Sequence, residues 1–246
     1  MIALAKESVK PEEIVIFLKK HIQFKDVCQK ILYQKIINQA TLEKNIIVTP
    51  EEIQNEADIF RHANRLQKTS DTLAWLTDQM ITVDDWEAGI SDKLLVDKLS
   101  EHLFSKEVEK FFAQNKLEFE QILLYQIVVP YHQLAQELFY QIEEEEISFY
   151  EAAHLYDIDE KRRQQCGYEG KLYRSSLKPD IAAVVFSANI GENICPIKSE
   201  RGYHLLRVEE FFPAELTPQL RQDIINRMFN EWLISELNYM LHNTNP

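Results

Sequence analysis

Apolar positions in the first half of the chain recur at three- and four-residue spacing, the period of a helix with one buried face. "KPEEIVIFLKKHI" sets Ile14, Phe17 and Leu18 on one side, and "FKDVCQKILYQKIINQA" does the same with Cys28, Leu32 and Ile36. "TPEEIQNEADIFRHANRL" carries its own start signal: Thr49 as N-cap, Pro50 as first helical residue and Glu52 closing a capping box. Short helices are predicted from Asp71 to Gln79 and from Thr82 to Ile90, and the pattern runs on through "SDKLLVDKLSEHLFSKEVEKFFAQN" to Asn115. Together they predict a bundle with solvated, charged outer faces.

After Asn115 the period changes. "FEQILLYQIVVP" is apolar, rich in β-formers and stopped by Pro130, a strand signature. "YHQLAQELFYQIEEEE" and "SFYEAAHLYD" return to helix, with Glu143 to Glu146 as a solvated helix end. "DIDEKRRQQCGYEG" reads as a polar loop, "KLYR" as a short strand, and "SLKPDIAAVVFSANIGE" as a short helix ending near Gly191. "CPIKSERGYHLLRVEEF" reads as a hairpin turning at Glu200 to Gly202. The last segment, "TPQLRQDIINRMFNEWLISELNYML", is a long amphipathic helix capped by Thr217, with Ile224, Met228 and Trp232 on one face.

Glycine follows the same division. Of five glycines in 246 residues, only Gly89 precedes residue 167; Gly167, Gly170, Gly191 and Gly202 crowd the later window, where tight turns need them. Charge narrows the function. A formal net charge of −13 opposes general nucleic-acid binding and attraction to anionic membranes. Three cysteines without a CxxC pair give neither a disulfide framework nor a zinc site and point to a reducing, cytoplasmic setting. The N-terminus, interrupted by Glu7, Lys10, Glu12 and Glu13, does not read as a signal peptide, and no apolar run reaches membrane-spanning length.

Searches for local catalytic motifs return nothing: no phosphate-binding loop, no dinucleotide fingerprint, no zinc-protease or nucleophile-elbow pattern. His102, His132, His154 and His204 lack ligand spacing, so no metal is expected. Cys166 and Cys195 read as structural, and Lys161, Arg162 and Arg163 as a solvated loop. His204, just past a glycine turn on a strand, is open to two readings: a hydrogen-bonded core histidine or part of a site.

The order of elements from Phe119 to Phe211 decides more than any single motif. "SFYEAAHLYDID", "GYEG", "LKPDIAAVVFSANIGE" and "CPIKSERGYHLLRV" follow an opening strand and helix. In that order they resemble the parvulin-type peptidyl-prolyl isomerase domain. "IIVTPEEI" and its helical surroundings resemble the region that precedes such domains in multidomain bacterial foldases, usually read as chaperone-like. The resemblance implies an α+β protein: a helical region over 1–117, a parvulin-like domain over 118–212 with a small, mainly antiparallel four-stranded sheet flanked by helices, and an amphipathic helix over 213–246 that packs on the helical region.

It also implies a site. His204 matches the family's closing "GyH" histidine, and Ser199 the threonine or serine five residues earlier. The family's other histidine falls at Gln126, a residue that hydrogen-bonds but does not titrate. Asp159 matches the cysteine-or-aspartate position, where it would bias the histidine tautomer or raise its pKa. Leu177 and Ile181 match the proline-ring pocket, with isoleucine in place of an aromatic; their helical spacing equally fits core positions. Leu172 is placed with the substrate-binding residues, as is Glu169, which stands where the family often has leucine and makes one wall polar. The arginine-rich loop of phospho-specific parvulins is replaced by "PYHQLAQ", so phosphoserine preference is not expected.

The implied activity is rotation about X–Pro bonds of peptide or unfolded-protein clients. It needs no cofactor, because no bond breaks. The alternative is a catalytically weak parvulin-fold chaperone or peptide-binding module, suggested by Gln126 and Ile181, with a dedicated role in peptide maturation or export as a third reading. A monomer or weak homodimer is expected, without nucleic-acid or membrane partners.

Overall fold

The computed structural model describes residues 2–4 and 7–243. The expectations for the first residues and for 213–246 therefore extend past the described residues, at Met1, Ala5 and Lys6 and at 244–246. The chain divides into two compact units, residues 1–108 with 218–246, and residues 109–217.

The first unit opens with a two-stranded antiparallel ladder, β1 (Ile2–Leu4) and β2 (Glu7–Val9), which the helical pattern did not announce. Helices α1 (Pro11–Lys20), α2 (Phe24–Glu43), α3 (Pro50–Ala63), α4 (Thr69–Asp78) and α5 (Val83–Phe104) follow. The long α11 (Pro218–Asn243) packs against α2 and α5. Ile36, Ile37 and Ala40 of α2, Leu99 of α5, and Phe229, Leu233 and Leu237 of α11 form the shared core. The buried stripe of α11 thus runs through Phe229 and Leu233, one position on from Met228 and Trp232; Trp232 is partly buried and stacks on Phe229.

The start of α3 is built as its sequence dictates. Thr49 Oγ1 accepts from the Glu52 amide at 3.3 Å, and Glu52 accepts from the Thr49 amide at 2.8 Å. Lys98 of α5 then donates to Glu52 and to the Ile47 carbonyl, both at 2.7 Å, fastening the cap to the neighbouring helix. Gly89 ends no helix: α5 runs through it unbroken, in place of the separate helix ending at Ile90. A Cβ there would meet nothing within 4 Å.

The second unit carries α6 (Val108–Gln114, from its second residue), β3 (Gln121–Val129), α7 (His132–Glu143), α8 (Phe149–Tyr156), α9 (Glu160–Gln164), β4 (Tyr168–Tyr173), α10 (Pro179–Val185), β5 (Asn193–Ser199) and β6 (Gly202–Phe212). Phe111 and Phe112 of α6 pack on Phe119, which draws that helix into this unit. The sheet is antiparallel throughout, in the order β4-β3-β6-β5. Three local expectations shift. The polar "DIDEKRRQQ" stretch folds into α9, because Asp159 caps it. β4 starts at Tyr168, earlier than "KLYR". α10 stops at Val185, well before Gly191.

Period-two alternation separates two cores across the sheet. Ile122, Leu124, Leu206 and Val208 face α10 and pack with Val185 and Ile194. Ile127, Val129 and Leu205 face α7 and α8, packing on Ala135, Leu138, Phe149 and Ala153. Gln126 and His204 fall in the even-numbered register of Leu124 and Leu206, which puts both on the α10 face.

Gly202 opens β6 at φ +136°, where an added Cβ would lie 2.4 Å from the Val129 carbonyl oxygen. Gly202→Ala is expected to destabilise the second unit by about 2 kcal/mol or more, through combined strain and clash. Gly89→Ala, in an open mid-helix position, should stabilise the first unit by about 1 kcal/mol. Urea denaturation of the two variants checks both signs.

Candidate functional site

The α10 face of the sheet is covered only in part. Where Gln126 and His204 replace aliphatic residues in the alternation, a cavity of about 480 Å³ opens. Leu124, Leu172, Leu177 and Ile181 line its apolar side, and Gln126, Glu169, Ser199 and His204 its polar side. Lys178, Glu200 and Arg201 stand exposed beside it. Gln126, Glu169, Leu172, Leu177, Ile181, Ser199 and His204, each picked out in the sequence, therefore meet in one cavity.

The polar side is a continuous chain of hydrogen-bonding groups. Ser199 Oγ lies 2.6 Å from His204 Nε2 and accepts from the Arg201 amide at 3.0 Å. His204 Nδ1 lies 2.9 Å from Gln126 Oε1. Gln126 Nε2 donates to Glu169 Oε1 at 2.9 Å, and Arg162 Nη1 donates to the same oxygen at 2.8 Å. The β hairpin makes the first contact: Ser199 pairs with Gly202 and Ile197 with His204, so the two side chains meet diagonally across the turn.

Behind this chain lies a pair of residues that sequence reading missed. Asp157 is 2% exposed. Its carboxylate accepts from Arg162 Nε at 2.7 Å and Nη2 at 2.9 Å, from the Val128 amide at 3.1 Å and from the Asp159 amide at 2.7 Å. Arg162 is thus not part of a solvated loop. Its fork is held by Asp157 and reaches Glu169, which places it in the cavity wall. Asp159 is exposed and accepts from the Arg162 amide at 2.9 Å as the N-cap of α9. That amide bond, ahead of the nearby positive charges, holds its pKa below the usual carboxylate value. The buried carboxylate that acts on His204 is Asp157, two residues earlier. The signal available in the sequence was the D-x-D-x-x-R spacing, in which the second aspartate caps a helix turn and returns the arginine to the first.

Burial lowers the His204 pKa below its ordinary 6.5, and the positive charges of Arg162, Arg201 and Lys178 lower it further against the opposing pull of Asp157. Both effects favour the neutral imidazole over the charged one. Among the described residues no cluster of His, Cys, Asp and Glu could hold a metal ion, and no helix is long and apolar enough to cross a membrane.

Two outcomes follow from the electrostatics. Arg162→Met leaves the Asp157 carboxylate buried without its cation and should cost about 3–5 kcal/mol in urea unfolding, with Asp157→Asn in the same chain recovering part of the loss. Because His204 has a lower pKa folded than unfolded, its contribution is complete above pH 6.5 and is lost as pH falls through that value toward the folded pKa. Replacing it in His204→Gln should therefore flatten the slope of unfolding free energy between pH 5 and 7 relative to the parent chain.

Residues 129–210 match the family model for the rotamase, PPIC-type PPIase domain. The match starts at the last residue of β3, so Gln126 lies just ahead of it. The chain is 25% identical over 194 residues to the foldase protein PrsA of Caldanaerobacter subterraneus subsp. tengcongensis, covering 78% of this chain and 59% of that protein. It is 23% identical over 192 residues to the foldase protein PrsA of Halalkalibacterium halodurans, covering 75% and 57%. It thus spans less than two thirds of the length of either relative. Among solved structures, the peptidylprolyl isomerase PrsA from Bacillus anthracis aligns at a TM-score of 0.47 and 18% identity, over 82% of this chain and 89% of that one. The segment that builds most of the cavity, residues 129–210, is thus the one that matches the PPIC-type peptidyl-prolyl isomerase, or parvulin, domain, within a chain similar to PrsA foldases.

Proposed function

We propose that this protein is a parvulin-type peptidyl-prolyl cis–trans isomerase acting on proline-containing peptide or unfolded-protein clients. The observation that carries the reading is the meeting of an apolar wall, Leu124, Leu172, Leu177 and Ile181, with a neutral polar wall, Ser199, His204 and Gln126, in one cavity of about 480 Å³ built mostly by the matched segment and completed by β3. That volume suits a small part of a peptide, such as a proline and its flanking peptide groups. The foldase names of the two relatives favour protein clients.

The chemistry asks little in the way of reactive groups. The barrier to rotation, about 18–20 kcal/mol, comes from amide resonance, which separates charge between oxygen and nitrogen in the planar forms. Twisting removes that separation. An apolar surround therefore disfavours the planar imide relative to the twisted one, which is differential binding of the transition state. Leu177 and Ile181 would take the proline ring. His204 and Ser199 act as oriented dipoles beside the rotating bond, consistent with a histidine kept neutral by burial. Arg162 lies in the wall with two carboxylates on its guanidinium, so it brings no free charge to the bond.

The three cysteines are unpaired, in keeping with a reducing compartment such as the cytoplasm as the place of action. Gln126 and Ile181, where the resembling family has histidine and an aromatic, favour a second reading, a parvulin-fold module that holds clients with little turnover.

A protease-coupled assay on X–Pro tetrapeptides separates the two. We expect acceleration over buffer at micromolar protein, with kcat/KM in His204→Ala reduced about 10-fold, equivalent to about 1.4 kcal/mol. Peptide binding without acceleration, unchanged in His204→Ala, would establish the holding module in its place.

A further inference from the structure

The Gln126 amide could face His204 either way round. An amide has a donating and an accepting end of nearly the same shape, so its neighbours decide its direction. One neighbour here has no freedom. Glu169 Oε1 receives Arg162 Nη1 at 2.8 Å and lies 2.9 Å from the Gln126 side chain. An ionised carboxylate only accepts, so Gln126 must turn its NH₂ toward it.

The remaining protons then follow in sequence. Gln126 Oε1 is left facing His204 Nδ1 at 2.9 Å, and two acceptors do not share a hydrogen bond, so Nδ1 carries the proton. The ring is buried, 7% exposed, and in its neutral form Nε2 is a bare acceptor. Ser199 therefore donates its hydroxyl proton to Nε2 at 2.6 Å, and its oxygen accepts the Arg201 amide at 3.0 Å. Asp157 holds the other side of the Arg162 fork and keeps the guanidinium aimed at Glu169.

We propose that Glu169 is a positioning residue: by orienting the Gln126 amide it sets the Nδ1–H tautomer of His204, and with it the direction of the Ser199 hydroxyl. Without it the amide is free to turn over, Nδ1 becomes the acceptor, the proton moves to Nε2 and the Ser199 hydroxyl is released toward the cavity. The tautomer assignment stands on the hydrogen-bond geometry around an ionised Glu169 and a neutral His204. Its effect on rate rests on the isomerase reading.

The test uses the full chain labelled with ¹⁵N-histidine, with two-bond ¹H–¹⁵N correlation spectra at pH 7.5 and His204 assigned by its loss in His204→Gln. The parent chain should show the Nδ1–H form. Glu169→Leu should move His204 to Nε2–H or to a mixture of both forms, whereas Glu169→Gln, which keeps an acceptor for the Gln126 amide, should retain Nδ1–H. In the peptide assay Glu169→Leu should lose 3- to 10-fold in kcat/KM and Glu169→Gln no more than about 2-fold. If Glu169→Leu does not fold, Gln126→Met removes the same constraint and should likewise abolish the Nδ1–H preference. An Nε2–H parent, or a tautomer unmoved in Glu169→Leu or in Gln126→Met, overturns the proposal. Absence of isomerase activity in the parent would count against the isomerase reading alone, since the spectra do not depend on turnover.

Discussion

The second unit is organised around a carboxylate that cannot be left unsatisfied. Asp157 is almost fully buried, and its two oxygens are met by a bidentate guanidinium and two backbone amides. Removing a charged group from water costs several kcal/mol unless partners surround it, so the folded arrangement must bring all of these donors together. Doing so fixes three parts of the chain at once: the end of α8, the start of α9 and the backbone of β3. It also completes the sheet. β4 stops pairing with β3 at Tyr125, and beyond it Val128 donates its amide to Asp157 and accepts the Ile158 amide at 3.0 Å. The exposed edge of β3 is thus covered by a side chain and one peptide group in place of another strand residue.

From that anchor the polar wall follows by direct contact. Arg162 has a fork with two faces; one is taken by Asp157 and the other reaches Glu169. Glu169 reaches Gln126, Gln126 reaches His204, and His204 reaches Ser199. The wall is therefore rigid in orientation although its members come from α9, β4, β3, β6 and β5. The apolar wall has a different origin. Leu124 and Leu172 are even-register residues of β3 and β4, and Leu177 and Ile181 flank the start of α10, so that side is ordinary core packing left incomplete. A cavity forms where the alternation keeps its period but changes its chemistry, from leucine to glutamine and histidine.

This difference of origin explains what could be read from the chain. The Thr49 capping box, the glycine turn before His204 and the apolar period of α2 and β3 are local, and local spacing carries them. The expected helix end at Ile90 is absent because the apolar period runs on past it, and the packing of α5 against α2, α3 and α11 outweighs the weak local cost of Gly89. The stretch around Asp157 and Arg162 was unreadable for the opposite reason. Its polar residues have the composition of a solvated loop, and their burial depends on Val128 and Glu169, which are far off in sequence. Asp159 drew attention to itself because it sits at the position the resemblance marks, yet its carboxylate serves the backbone of α9.

Two of the departures from the resembling pattern also become one feature when placed in space. Glutamine for histidine at 126 removes a titrating group that could itself choose a tautomer, and leaves an amide that needs instruction. Glutamate for leucine at 169 supplies that instruction, 2.9 Å away and backed by Arg162. Either change alone would be poorly satisfied: Gln126 beside leucine would have an unmatched NH₂ in a half-buried site, and Glu169 beside a neutral histidine would compete for its proton. Together, no buried side-chain polar atom among the described residues lacks a partner. The pair is thus a coupled solution to holding a buried His204 in a single orientation, with each partner satisfying the hydrogen-bonding groups of the other.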